Sequence, residues 1–145
     1  MKKILFPLDQ NHLGICYVVD DSISIEDIIK ISIPENTPYK IVEEINVISP
    51  FTNCYDFDQE NGYKINIQRC KDFWLFNFRK VRTSLLQELD IDFMRAVESK
   101  DENKQSEISQ KKQQLRDVTL IDLPNTLMEL KNTWPEILGK NPFLI

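Results

Sequence analysis

Apolar residues in the second half of the chain recur at the spacing of an α-helix. Between residues 68 and 98 neither Gly nor Pro occurs, and large apolar residues stand three or four positions apart. This interval places them on one helical face. They are Trp74, Phe78, Val81, Leu85, Leu89 and Phe93. The pattern predicts a single helix over about 68–98, roughly 45 Å long, with Ala96 and Val97 extending its buried stripe.

A second helix is predicted after the polar segment that follows residue 98. Asp101 can accept a backbone hydrogen bond at its start, and the pattern continues to about Val118. Its few apolar positions, Ile108 and Leu115 among them, form a narrow seam that suits one neighbouring helix. The two helices are expected to form an antiparallel hairpin over about 68–118.

The last part of the chain has a weaker helical pattern. Pro124 is expected to open a short helix over about 124–134, with Leu130 and Trp134 on one face. The remaining residues, 136–145, are expected to lie on the surface.

The first half of the chain has the short alternating runs of β-strands. Residues 4–8 and 14–19 predict two antiparallel strands, and residues 38–44 predict a third. Ser24 can cap a short helix between them. Residues 51–67 predict a hairpin.

The Asn61–Gly62 pair within that hairpin predicts a two-residue type I′ turn, because both central residues of this turn need positive φ. The acidic residues before the pair do not match the spacing of a calcium loop, since Asn61 stands where that loop requires glycine.

These patterns together predict an α+β fold. We expect a small N-terminal domain over 1–67, with antiparallel β-structure and one short helix. A helical C-terminal region over 68–145, made of the long helix, the hairpin and the short helix, follows it.

Composition and charge narrow the class of protein. The chain has 145 residues and a net charge of −5. Residues 1–60 carry four basic and eleven acidic residues, and residues 61–145 carry fourteen and twelve. Such a distribution does not favour a nucleic-acid partner. No apolar run is long enough for a membrane helix. The N-terminal apolar stretch is too short for a signal peptide, which indicates the cytoplasm.

Residues that could support catalysis are scarce. His12 is the one histidine and lies in a predicted turn. Phosphate-binding glycine motifs and metal-ligand spacings are absent from the sequence. Cys16, Cys54 and Cys70 lack C-x-x-C spacing and are expected to be free thiols. The chain is therefore interpreted as a non-enzyme without a cofactor or metal.

The run Phe73–Phe78 places five large apolar residues in six positions. No single helical face can bury all of them. Either two internal surfaces use them all, or Leu75 or Phe76 is left for a partner, where aromatic anchors contribute most.

Several motifs of the C-terminal half resemble the phage tail assembly chaperone family. These are R-x-x-R-x-x-L-L from Arg79 to Leu86, L-R-D at Leu115–Asp117, and W-P at Trp134–Pro135. The family often has Asn after the second arginine, where this chain has Thr83. The resemblance implies a bacteriophage or prophage protein that helps to assemble a tail or tail fibre.

The predicted partner is a phage tail or tail-fibre protein, bound in the cytoplasm of the bacterial host, and a homo-oligomer is left open. The candidate partner-binding residues are Leu75, Phe76, Arg79, Arg82, Leu86, Arg95 and Arg116. The alternative for the arginines is pairing within the chain with Glu88, Asp90, Asp92 and Asp117. Two other functions remain open, namely a structural component of the virion tail and an acidic inhibitor of a host defence protein.

Overall fold

The fold class is α+β, as predicted. A computed structural model of the chain describes residues 1–9, 12–19 and 22–144. Antiparallel strands come first and long helices follow. The chain divides into two compact units, Met1–Asn66 and Ile67–Ile145.

The first unit contains a three-stranded antiparallel sheet of order β2-β1-β3. Its strands are β1 (Lys3–Pro7), β2 (Leu13–Tyr17) and β3 (Lys40–Val42). Ile4 of β1, which is fully buried, is paired with Cys16 on one side and Ile41 on the other.

Helix α1 (Ile25–Ser32) follows the first two strands, and the predicted cap is confirmed. The Ser24 side chain accepts a hydrogen bond from the backbone N–H of Asp27. Ile25, Ile28 and Ile29 of α1 pack against a buried cluster that includes Ile4. An amphipathic helix thus covers the apolar side of the sheet.

The predicted hairpin is present as β4 (Tyr55–Asp58) and β5 (Gly62–Ile65), but the predicted type I′ turn is wrong. Asp58 pairs with Gly62, so three residues connect the strands. Gly62 has a φ of 87°, whereas Asn61 is not among the residues with positive φ. The backbone N–H of Asn61 instead donates to Asp58 Oδ2 at 2.8 Å. The Asp58 carboxylate therefore holds a turn that the Asn-Gly pair alone did not predict.

The second unit begins with helix α2 (Ile67–Glu98), and helix α3 (Glu102–Asp117) follows it. Lys100 has a φ of 55°, and Asp101 N–H donates to Ala96 O while Lys100 N–H donates to Val97 O. These two bonds close the C-terminus of α2 as a Schellman motif. The Asp101 side chain then accepts from Lys104 N–H, which confirms the predicted cap of α3.

The seam of the hairpin is narrow, as its sequence indicates. Its buried residues are Ala96 of α2, Ile108 and Leu115 of α3, and Val118, which caps α3.

Helix α4 (Leu127–Asn132) is shorter than the predicted 124–134 and begins after Thr126, whose side chain accepts from Glu129 N–H. The expectation that residues 136–145 lie on the surface is wrong for two residues of the described part of this segment. Leu138 and Asn141 are buried, and Asn141 Nδ2 donates to Lys131 O at 3.1 Å.

Candidate protein-binding surface

An aromatic cluster fixes the base of α2 within the second unit. Trp74 and Phe78 are fully buried. The Trp134 ring lies edge-on to both, at centroid distances of 5.7 and 5.1 Å. Phe143 lies 5.1 Å from Trp74 and 6.0 Å from Phe73. The edge-to-face pairs that Trp134 makes with Trp74 and Phe78 add to the stabilisation from apolar burial. The C-terminal segment thus completes the core against the inner face of α2.

Hydrogen bonds satisfy the polar ends of the two indoles. Trp74 Nε1 donates to Thr133 O at 2.6 Å, and Trp134 Nε1 donates to Gly139 O at 3.0 Å. A buried indole N–H needs such a partner, so the two bonds also fix the backbone of the C-terminal segment.

Arg82, a predicted partner-binding residue, makes contacts within the hairpin. Its Nη1 donates to the backbone oxygen of Arg116 at 3.3 Å and to Thr119 Oγ1 at 3.4 Å. The last carbonyls of a helix lack partners in their own helix, and a positive charge is favourable beside them. In the described part of the chain, the Nε of Arg82 is buried without a hydrogen-bond partner. Arg82 therefore links α2 to the end of α3, and its backbone contact places it beside Arg116.

The other three predicted arginines are exposed. Arg95 lies 3.3 Å from Asp92, and its side chain is 73% exposed. An ion pair at that exposure contributes only about 0–1 kcal/mol. Of the remaining predicted acidic partners, Asp90 forms an ion pair with Lys112. Asp117 accepts from Gln113. Internal pairing is thus present for Arg95, but with a single acidic residue.

Leu75, Phe76, Arg79 and Leu86 lie on neighbouring positions of α2, and we call them the proximal strip. Leu75 and Arg79 are one turn apart, and Leu86 follows Arg79 two turns later, so their side chains leave the helix on the same flank. Leu75 and Leu86 are half-buried, and Arg79 is exposed. Phe76 is 62% exposed. The structure therefore brings three of the seven predicted residues onto one flank of α2, places Phe76 at the edge of that flank, about 100° around the axis from Leu75, and leaves Arg95 on another side of the helix.

The sequence prediction missed a second exposed apolar group farther along α2. Ile91, Met94 and Val97 are 56%, 58% and 42% exposed. Val97 was predicted to extend the buried stripe, and this prediction is wrong, because Ala96 alone turns toward α3 at this point. The three-residue spacing of Ile91, Met94 and Val97 was the sequence signal that could have predicted this exposed apolar group. These residues and Phe76 are called the outer strip.

A cleft of about 340 Å³ lies between α2, α3 and the C-terminal segment. Leu85, Leu89, Leu115 and Ile137 line its floor. Glu88, Asp92 and Lys111 also line it and give it charges of both signs. The hairpin thus has a cleft with apolar and charged lining residues as well as the outer strip.

Two polar side chains of the first unit have local contacts. His12 Nδ1 lies 2.6 Å from Asp9 Oδ1 in an exposed turn. The pKa of Asp58 is lowered, chiefly because its carboxylate accepts the backbone N–H of Asn61. Among residues 1–9, 12–19 and 22–144, no group of three or more His, Cys, Asp or Glu side chains could hold a metal ion.

Comparisons with known proteins do not assign a function, so the function is inferred from the surfaces of α2 described above. No protein-family model, curated protein or solved structure matches the chain. None of the described helices is long and apolar enough to cross a membrane.

Proposed function

We propose that the chain is a non-enzymatic binding protein that uses the proximal strip of α2 to hold an apolar segment of a partner protein. The observation that carries this proposal is the exposure of Phe76. Its aromatic neighbours Trp74 and Phe78 are fully buried, whereas Phe76 leaves 62% of its surface to solvent.

The composition of the proximal strip fits a binding hot spot. Aromatic and Arg side chains are enriched at the energetic centres of interfaces. Covering the exposed part of Phe76 would remove roughly 120 Å² of apolar surface from water, which is worth at most about 3 kcal/mol. Leu75 and Leu86 add apolar surface beside it, and Arg79 supplies a charge-assisted hydrogen-bond donor for a carboxylate or carbonyl oxygen.

The partner that we propose is a phage tail or tail-fibre protein, held during assembly in the cytoplasm of the bacterial host. The support for this specific role is the resemblance of the R-x-x-R-x-x-L-L, L-R-D and W-P motifs to those of phage tail assembly chaperones. The first of these motifs contains Arg79 and Leu86, so the motif and the proximal strip coincide on the same part of α2.

Co-expression with a tail or tail-fibre protein of the same phage or prophage tests the proposal. We expect the two proteins to co-purify, and the Phe76→Ala/Arg79→Glu double variant to weaken the complex at least about tenfold. Ile31→Ala is the matched control, because Ile31 is 82% exposed in the first unit. Equal folding and assembly of the fibre without this chain would exclude the chaperone role. Presence of the chain in purified particles would favour the virion component instead.

A further inference from the structure

Strand β2 forms one edge of the three-stranded sheet, and its backbone groups alternate between β1 and the outside. The N–H of Val18 donates to Lys2 O at 3.1 Å, so the even-numbered residues of β2 exchange hydrogen bonds with β1. In an antiparallel pair these residues alternate with residues whose backbone groups point the other way, here Ile15 and Tyr17. In the described part of the chain, the outward N–H and C=O groups of these two residues have no hydrogen-bond partner.

The outer edge of β2 lacks the features that keep an exposed strand from pairing. Proteins protect such edges with charged residues, proline or very short strands. The opposite edge of the sheet has all three, because β3 is three residues long, contains Lys40, and lies between Pro38 and Glu43. Residues 12–19 contain no Asp, Glu, Lys, Arg or Pro. The two edges therefore differ, and only that of β2 is suited to pairing with another strand.

Strand β4 reaches only the beginning of this edge, through a bridge between His12 and Asp56. Residues 15–19 lie beyond that bridge, and we call them the open edge. Within it, Val18 is buried in the cluster that packs against α1, whereas Tyr17 and Val19 are 53% and 78% exposed. Because side chains alternate along a strand, the odd-numbered residues present apolar side chains on the sheet face opposite α1.

A cavity of about 540 Å³ lies beside the open edge. Leu13, Ile15 and Tyr17 line it from β2, and Ile45 and Val47 line it from the segment that follows β3. Since the β2 residues are odd-numbered, the cavity lies on the face to which Tyr17 and Val19 belong. It has room for an apolar side chain that enters next to Ile15.

We propose that a second copy of this chain pairs its β2 antiparallel with the open edge, about a two-fold axis at Tyr17. Tyr17 is the middle residue of the open edge, so this register pairs Tyr17 with itself and Ile15 with Val19 at both ends. Each of these outward-facing pairs can exchange two backbone hydrogen bonds. A two-fold axis lets the same surface serve both copies. This inference goes beyond the proposed function and does not rest on it.

The side chains of the open edge argue for a second copy as the occupant. The rotation maps residues 15–19 onto themselves and places Val19 of one copy opposite Ile15 of the other, on the same face. The exposed Val19 side chain of each copy would therefore enter the border of the cavity beside Ile15 of the other. Cys16 pairs with Val18, and no charged residue takes part, so one register covers both the exposed side chains and the unpaired backbone groups.

The length of the open edge predicts a weak dimer. Five residues of a strand extend over about 17 Å, and such a contact is small beside the roughly 800 Å² per partner of a standard interface. We therefore expect a dissociation constant in the micromolar range.

Sedimentation velocity of the chain alone, from about 1 to 300 µM, tests the proposal. Wild type should shift from monomer to dimer. Because Tyr17 lies on the axis, Tyr17→Lys and Tyr17→Glu each place like charges directly opposite one another and should weaken dimerisation at least about tenfold. An equimolar mixture of the two variants should form a heterodimer, since the opposed charges then attract. Tyr39→Lys is the matched control, because Tyr39 is 48% exposed and lies outside β2, and it should dimerise as wild type does.

Val19→Lys provides a second test that leaves Tyr17 unchanged. It places a charge beside Ile15 of the other copy and should also weaken the dimer. Circular dichroism at low concentration checks that each variant is folded. Three results would each overturn the proposal: a wild type that stays monomeric to about 300 µM, equal dimerisation of Tyr17→Lys and Tyr39→Lys, or a monomeric mixture of the folded Tyr17 variants. Because partner capture is measured with a different protein, loss of self-association leaves the proposed function to its own test.

Discussion

The indole nitrogen of Trp74, on the inner face of the long helix, donates a 2.6 Å hydrogen bond to the backbone oxygen of Thr133. The two residues are separated by 59 positions. This bond and the surrounding rings tie the last part of the chain to α2, so we expect the stability of the second unit to depend on Trp74.

Trp74→Phe keeps an aromatic ring but removes the donor, leaving the part-buried carbonyl oxygen of Thr133 without this partner. We expect a loss of about 1–3 kcal/mol in the free energy of unfolding, and a larger loss of about 3–5 kcal/mol for Trp74→Ala. Urea denaturation followed by circular dichroism measures both. Equal stability of Trp74→Phe and wild type would show that the bond contributes nothing.

Arg82 and Arg79 are three residues apart and should behave differently. Arg82→Met loses the contacts with Arg116 and Thr119 and should lower the free energy of unfolding by about 1–2 kcal/mol. Arg79→Met lies at an exposed position and should change it by less than about 0.5 kcal/mol, while weakening capture of the partner. Thermal unfolding measures the stability of the two variants, and co-purification measures their binding to the partner. The opposite order would place Arg82, not Arg79, on the binding surface.

Asp101 caps α3 through the N–H of Lys104. Asp101→Ala should cost about 1 kcal/mol, because that N–H loses its acceptor within the chain. Asp101→Asn is the matched control, since Asn is as good a capping residue and should retain most of the stability. Urea midpoints of the three proteins provide the comparison, and identical values for Ala and Asn would argue against a capping role.

The lowered pKa of Asp58 predicts a pH dependence of the first unit. Its ionised form is favoured in the folded chain, so its contribution is present above the unfolded pKa and is lost as the pH falls through the folded value, below the ordinary 3.8. Asp58→Asn should remove this dependence. An NMR titration of the side-chain carboxyl measures the pKa, and a midpoint at or above 3.8 in the folded protein would contradict the prediction.

Local signals of the sequence predicted much of the fold. Ser24 and Asp101 act as caps through their own side chains, and the period of Trp74 and Phe78 follows from helix geometry alone. The C-terminal segment was beyond such reasoning, because Asn141 is buried through a hydrogen bond to Lys131 O of α4, ten residues earlier, and no local sequence pattern indicates that contact. The turn at Gly62 was mispredicted since the Asp58 carboxylate competes with the preference of the Asn-Gly pair.

The sequence predicted one part of the candidate surface and missed another. Phe76 follows from the excess of apolar residues in Phe73–Phe78 over what one helical face can bury. Arg82 resembled the other arginines in sequence, and its contacts with Arg116 O and Thr119 Oγ1 distinguish it in the structure. The outer strip was missed because Val97 continues the apolar spacing of α2, although its side chain projects away from α3.

The aromatic cluster of the second unit also gives the molecule a natural division of its ultraviolet signals. Both tryptophans, Trp74 and Trp134, belong to that cluster, whereas all four tyrosines, Tyr17, Tyr39, Tyr55 and Tyr63, lie in the first unit. Tryptophan fluorescence, excited at the red edge of the tryptophan absorption band, therefore reports on the helical unit alone. Tyrosine absorbance reports on the β-containing unit, so the unfolding of each can be followed in the unlabelled chain.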